Sequence, residues 1–306
     1  MIKKTVFVAL LTGFALLLAF PLWSGPIPAS IVPEGARWIA HLDMEKFVAT
    51  DLFKYLDEDG RFEFRVRDVE RWLKIDIPRD ITGVTLFGLG PDEDDTVFAL
   101  AGKFDKARLM TLLDLDEDHR EYAHGAFTIH SMDDDDFGAF VNDNLIVFSS
   151  DRGALEKALD AAGGKVKTFA SSKLAAALKE VPAGAFLSGV VEDLSGLGKE
   201  INQSKLVEKA SGLFFMAQEK QSVLHIRVQM EADTPENSKN IADLVQGLIA
   251  LGRLSEGRGE MARLASLTER VRVKQDGKTV WLELEGPSRE IADLLSRNGG
   301  FAAWLR

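Results

Sequence analysis

Cysteine is absent from all 306 residues, which removes disulfides, thiolate metal sites and thiol nucleophiles together. Other reactive signatures are missing too. There is no G-x-S-x-G elbow, because Ser188-Gly189 and Ser195-Gly196 lack the preceding glycine, and no S-x-x-K dyad occurs. Gly88-Leu-Gly90 and Gly196-Leu-Gly198 lack the third glycine of a dinucleotide loop, and no Walker lysine follows any glycine at the needed spacing. The five histidines (His41, His119, His124, His130 and His225) form neither H-x-H nor HExxH, so they read as ordinary surface or half-buried residues, with His130 and His225 on the polar faces of their strands. Nucleic-acid binding needs a basic surface, and the chain shows none.

Only one long apolar run is present. Lys3 and Lys4 precede the uncharged stretch Thr5–Trp23, and Gly25, Pro26, Pro28 and Ala29 break any helix beyond it. This is the layout of an export signal with Ala29 as a small residue at the cleavage position. A stretch of this length also suffices to span a bilayer core of about 30 Å, so an uncleaved anchor in residues 5–23 is the alternative. Either way the lysines stay in the cytoplasm and the body is translocated. The expected location is extracytoplasmic, periplasmic or secreted. Without disulfides, such a body must stand on its hydrophobic core, and 46% hydrophobic residues can supply one.

Charge is concentrated. The net charge is −11, and the segment from Phe87 to Asp143 carries fifteen acidic residues against four basic ones. Its densest turns are Asp92–Asp95, Asp114 to Asp118, and Asp133–Asp136.

The second half repeats the plan of the first: strand and helix, hairpin and helix, hairpin and helix. In residues 36–162 the alternation around Trp38–Met44 gives a strand, followed by a helix over Glu45–Leu56 and a short helix near Val66–Lys74. Strands follow at Thr82–Gly90 and Thr96–Phe104, then a helix capped by Asp105. Strands at Phe127–Met132, Phe137–Val141 and Leu145–Ser149 precede a helix capped by Asp151 and ended by Gly163-Gly164. In residues 184–297 the matching pieces are the strand Gly184–Glu192, a helix Leu194–Ala210, strands Leu213–Gln218 and Ser222–Ala232, and a helix capped by Thr234 with Pro235 in its first turn. After Glu260–Leu267, strands Val271–Gln275 and Lys278–Glu285 pair across Asp276-Gly277, and Gly286-Pro287 opens the last helix. Leu224, Ile226, Val228 and Met230 alternate with His225, Arg227, Gln229 and Glu231, which marks a sheet covered on one side and wet on the other. The fold class expected is α+β: two related modules, each a mostly antiparallel sheet with helices on one face. Residues 1–29 form the signal or anchor, 30–164 the first, acidic module, 165–183 a linking helix, and 184–306 the second module.

Phe137–Leu159 (FGAFVNDNLIVFSSDRGALEKAL), then Ala161-Ala162-Gly163-Gly164, Ser171-Ser172-Lys173-Leu174 and Val181-Pro182-Ala183-Gly184-Ala185, together with the opening VPEGARWIAHLDMEKF, resemble an uncharacterised bacterial extracytoplasmic family known only as a domain of unknown function. The resemblance covers about half the chain. It implies export and duplicated α+β modules, and it assigns no functional residue.

One group of residues points to chemistry. Asp92, Asp94, Asp95, Asp133, Asp134, Asp135 and Asp136 make oxygen-rich turns that suit calcium outside the cell. They fail the EF-hand pattern, and solvated carboxylates that keep sheet edges from associating are the competing reading. Trp281 faces outward with Arg272 expected opposite it, either as a stacked pair or as a ligand platform. The function expected is a non-enzymatic binding or scaffold module of the cell envelope, without catalytic residues or cofactor, whose partner is another envelope protein or a second copy. A calcium binder and a hydrolase without recognisable motif are the alternatives.

Overall fold

The computed structural model describes residues 27–58, 77–90, 95–133, 136–192, 210–254 and 269–296. The export segment, the helix expected at Val66–Lys74, the connection Glu260–Leu267 and all but the last residue of the helix expected at Leu194–Ala210 lie outside them. The chain divides into two compact units. One draws its described residues from Leu22–Val48 and Phe64–Val181, the other from Ala49–Glu63 and Pro182–Arg306.

The first unit holds strands β1 (Trp38–Asp43), β2 (Ile81–Gly88), β3 (Thr96–Gly102), β4 (Arg120–His124), β5 (Phe127–Asp133), β6 (Asp136–Asn142) and β7 (Leu145–Ser149). They pair in the order β1-β2-β3-β7-β6-β5-β4, antiparallel throughout. The second unit holds β8 (Ala185–Val191), β9 (Ala210–Lys220), β10 (Val223–Ala232), β11 (Val271–Asp276) and β12 (Thr279–Pro287), in the order β8-β9-β10-β12-β11, also antiparallel. The sequence β1-β2-β3-β7-β6 and the sequence β8-β9-β10-β12-β11 are one strand order used twice. The first unit adds a hairpin, β4–β5, beyond β6. β4 escapes the periodicity because Arg120-Glu-Tyr-Ala-His124 is a polar edge strand, and charged edge strands resist pairing with other chains.

Strand alternation sorts each sheet into two faces. In the first unit the row His41–Thr85–Ala99–Val147–Ala139–Ile129 runs across six strands, and every member is buried. Among the described residues, the helices of this unit are α1 (Met44–Val48), α3 (Ile77–Asp80), α4 (Lys106–Leu113), α5 (Arg152–Ala162) and α6 (Lys173–Leu178). α5 packs against β3, β6 and β7 through Ala154, Leu155, Ala158 and Leu159, with Asp151 Oδ1 accepting from the Ala154 N–H at its start. Such a cap is worth about 1 kcal/mol. In the second unit α7 (Pro235–Leu254) lays Ile241, Ala242, Val245 and Ile249 on Met230, Ala232 and Val280. Thr234 caps it, its Oγ1 accepting from the Asn237 N–H at 3.1 Å.

Two expectations change. The single helix over Glu45–Leu56 is two: α1, and α2 (Asp51–Glu58) in the second unit. The break falls at Ala49-Thr50, where the Thr50 hydroxyl accepts from the Phe53 N–H at 3.0 Å and starts a new helix. Glu219 completes that start from far along the chain. Its two carboxylate oxygens accept from the N–H groups of Asp51 (2.7 Å) and Leu52 (2.9 Å). Glu219 also takes the Ser288 hydroxyl at the head of α8 (Ser288–Ser296), so one carboxylate serves two helix N-termini.

The second change concerns Lys165–Pro182. Beyond α6 it contains a 3₁₀ turn, Phe169–Ser171, and it packs into the first unit. The Phe169 N–H donates to the Val32 carbonyl, Thr168 bridges Pro33, and Leu174 is fully buried.

Candidate functional site

The acidic turns offer little geometry. Asp92, Asp94, Asp134 and Asp135 lie outside the described residues, as does the side chain of Asp133. Asp95 folds its carboxylate over Gly90. Asp136 is exposed and pairs with Asp133 where β5 gives way to β6, at the turn end of that hairpin. In the neighbouring turn Asp116 accepts from the Asp118 N–H at 3.0 Å, which closes a local turn of the kind aspartate makes unaided.

Among the described residues, the one group of three that could hold a metal ion is elsewhere: His119, Glu121 and His130. Strand geometry brings it together. Glu121 on β4 stands directly across from His130 on β5, and His119, two residues before Glu121, projects to the same side. This is the outer row Phe98–Phe148–Gly138–His130–Glu121, whose face is opposite the buried row under α5. Gly138 is required there. A Cβ at that position would lie 2.9 Å from Cδ1 of Phe148, whose ring covers the glycine.

The imidazoles of His119 and His130 meet edge to edge, with centroids 5.3 Å apart and planes at 23°. Their side chains are each only 9% exposed. His119 Nε2 and His130 Nδ1 face each other at 3.1 Å and share one proton in a hydrogen bond. Glu121 Oε1 is 3.5 Å from the same His130 Nδ1, and Asp114 Oδ1 is 3.9 Å from His119 Nδ1. In the tautomer with the proton on His119 Nδ1, on the side of the Asp114 carboxylate, His119 Nε2 accepts from the N–H of His130 Nδ1. Phe140 meets His130 edge-on, and Lys106, at the start of α4, hangs 5.1 Å above the Phe140 ring. Burial pushes the His130 pKa below the ordinary imidazole value. Glu121 opposes that shift, while His119 and Lys106 add to it. His130 is therefore neutral at pH 7.

Sequence reasoning missed this group. It expected His130 on the polar face of its strand as a surface or half-buried residue, yet the residue is buried. The available signal was His119-x-Glu121 followed by a hairpin that returns His130 opposite Glu121, but it needed β4 to be recognised as a strand. The other histidines are occupied separately. His41 Nδ1 and the Thr85 hydroxyl lie 2.9 Å apart in the core, and His124 Nε2 meets Asp160 Oδ1 at 2.8 Å. Asp160 is held below the usual carboxylate range by its hydrogen bonds to Lys165 and His124.

In the second unit the wet face expected on β10 is present and extends across β12 and β11. His225 meets Glu285 at 3.2 Å, Arg227 donates to Glu283 at 3.0 Å, and Lys274 donates to the other oxygen of Glu283 at 2.6 Å. The Lys274 ammonium, ahead of Arg227, holds the Glu283 carboxyl below its ordinary value. Trp281 stands opposite Lys274, while Arg272 stands opposite Glu283. The hairpin turns tightly, at Gly277 (φ +54°) and Lys278, and this shifts the expected Arg272–Trp281 register by two residues. Trp281 Nε1 donates to Gln229 Oε1 at 3.1 Å instead of stacking on an arginine.

No protein-family model matches this chain, and no curated protein does. Solved structures of TP0453 are similar in fold. Crystal form III aligns with a TM-score of 0.53 at 9% identity, over 89% of this chain and 99% of that one. Crystal form IV aligns with a TM-score of 0.50 at 9% identity, over 88% and 96%. The α+β architecture is thus shared over nearly the whole chain.

Proposed function

We propose that this is an exported, non-enzymatic binding module of the cell envelope, acting through the uncovered face of β10, β12 and β11. The observation that carries the reading is that face. His225, Arg227, Gln229, Glu231, Arg272, Lys274, Trp281, Glu283 and Glu285 form a field in which basic and acidic groups alternate across three strands around one indole. The cross-strand pairs hold these side chains in fixed places, which lowers the entropy lost when a partner docks. Tryptophan and arginine are also the side chains that most often anchor protein interfaces. The partner that fits is another folded envelope protein with its own mixed charges. The basic, then apolar, N-terminal segment supports export. Among the described residues, no helix is long and apolar enough to cross a membrane.

A photo-crosslinking side chain placed at Arg272 in the full chain tests the reading in the producing cell. The expected result is one discrete adduct that disappears when Glu283→Arg is added. A self-adduct would make the partner a second copy. Absence of any adduct, with a strictly monomeric purified protein, would overturn the reading.

A further inference from the structure

We infer that His119, Glu121 and His130 form a binding site for one late first-row divalent cation of the zinc class. The site lies on the outer face of the β4–β5 hairpin and is independent of the docking face above.

The distances carry the inference. Ligand atoms arranged tetrahedrally at about 2.0–2.1 Å from zinc are about 3.3–3.4 Å from one another. The two contacts that meet at His130 Nδ1 are 3.1 Å, to His119 Nε2, and 3.5 Å, to Glu121 Oε1. These bracket the tetrahedral edge. All three ligand atoms fall within 4.8 Å of one another, so closing the third edge takes a rotamer adjustment of the exposed Glu121. A cation entering there replaces the proton shared by the facing nitrogens: His130 Nδ1 gives up its N–H, its Nε2 takes one from solvent, and the two rings turn so that lone pairs now meeting head-on across 3.1 Å converge on the metal. His119 already presents Nε2 toward His130 Nδ1, and the Asp114 carboxylate lies behind it, 3.9 Å from its Nδ1. A carboxylate behind a metal-binding imidazole is the usual way such a ring is oriented.

The burial of the imidazoles is the second argument. Two rings, each about nine-tenths covered, meet edge to edge and satisfy one nitrogen of each with a single shared hydrogen bond. Surface histidines have no reason to be gathered so closely, whereas a cation bound by both offsets the cost of burying them. Glu121 and Asp114 bring two negative charges to the site against one from Lys106, so the surroundings favour a dication.

Chemistry selects the metal class. Two imidazole nitrogens and one carboxylate suit zinc, nickel or copper, whereas calcium and magnesium favour all-oxygen shells. Three protein ligands leave one position open to water. The cation expected here therefore differs from the calcium that the acidic turns suggest, and it binds at different residues.

Metal-stripped full chain without an affinity tag, titrated with zinc against a chromophoric chelator, tests the site. The expected stoichiometry is one to one, and a thousandfold excess of calcium should leave bound zinc in place. Cobalt in place of zinc should give the intense visible absorption of a low-coordinate nitrogen and oxygen site. Changing His119→Ala or Glu121→Gln should weaken zinc by about tenfold or more, whereas His225→Ala should leave it unchanged. His119 is in a loop and Glu121 is exposed, so both variants keep the fold, which circular dichroism verifies. Failure of the chain to bind zinc, zinc binding indifferent to both changes, or displacement by calcium would each overturn the inference.

Discussion

Glu219 should matter more to stability than a half-buried glutamate on a strand usually does. Its carboxylate accepts from the N–H groups of Asp51 and Leu52 and from the Ser288 hydroxyl, joining α2, α8 and the end of β9. The change Glu219→Gln keeps the volume and one acceptor oxygen, but turns the other oxygen into an NH2 that faces a backbone N–H. A hydrogen bond to a charged group contributes about 1.5–3 kcal/mol, and a missing N-cap costs about 1 kcal/mol. With one acceptor retained and the site open to some water, the expected loss is about 2 kcal/mol. Because about 1.4 kcal/mol is a factor of ten, amide exchange across α2 should accelerate about 30-fold if the loss is local. Hydrogen exchange followed by mass spectrometry on peptides covering 49–58 reads this directly. Thr50→Ala, which removes only the bond to the Phe53 N–H, should give the smaller effect of about 1 kcal/mol. Adding Ser288→Ala to Glu219→Gln should cost less than the sum of the two single changes, because both remove the same contact. If α2 exchanges at the original rate in Glu219→Gln, the shared-cap reasoning is wrong.

Two further predictions rest on local geometry. Gly138→Ala should destabilise by about 1–3 kcal/mol, since its Cβ meets the Phe148 ring at 2.9 Å, and Phe148→Leu in the same chain should recover part of the loss in a thermal melt. Glu283 has a folded-state pKa below its ordinary value, so its contribution to stability is present above about pH 4.5 and is lost as pH falls through the lower folded value. Urea midpoints measured from pH 7 to pH 3 should therefore fall less steeply in Glu283→Gln than in the unchanged protein, and parallel curves would contradict the pairing with Lys274.

Elements with local signals are where the periodicity places them. β7 runs from Leu145 to Ser149 as expected, Asp105, Asp151 and Thr234 cap their helices, and Gly277 turns its hairpin. In each case neighbouring residues supply the determining interaction. Three features were not legible: the interruption at Ala49-Thr50, the edge strand β4 and the register at Trp281. Glu219 sits 168 residues from Asp51, so the break it helps to fix has no local mark beyond Thr50. β4 is polar on both faces because it is an edge, and polar pentapeptides look like loops. The Trp281 register depended on where within Gln275–Lys278 the chain reverses, and a shift of turn by one residue at each end moves every cross-strand partner by two.

The repeated strand order and the two-faced sheets were set by the sequence itself, because apolar side chains recurring every second or every third to fourth residue leave the backbone few ways to bury them. The His119–Glu121–His130 group was decided only by tertiary structure. Its members gain their meaning from a cross-strand register and from the burial of two imidazoles. Neither is a property of any residue with its immediate neighbours. Pairing distance and solvent exclusion belong to the folded chain, and the chemistry of the site depends on both.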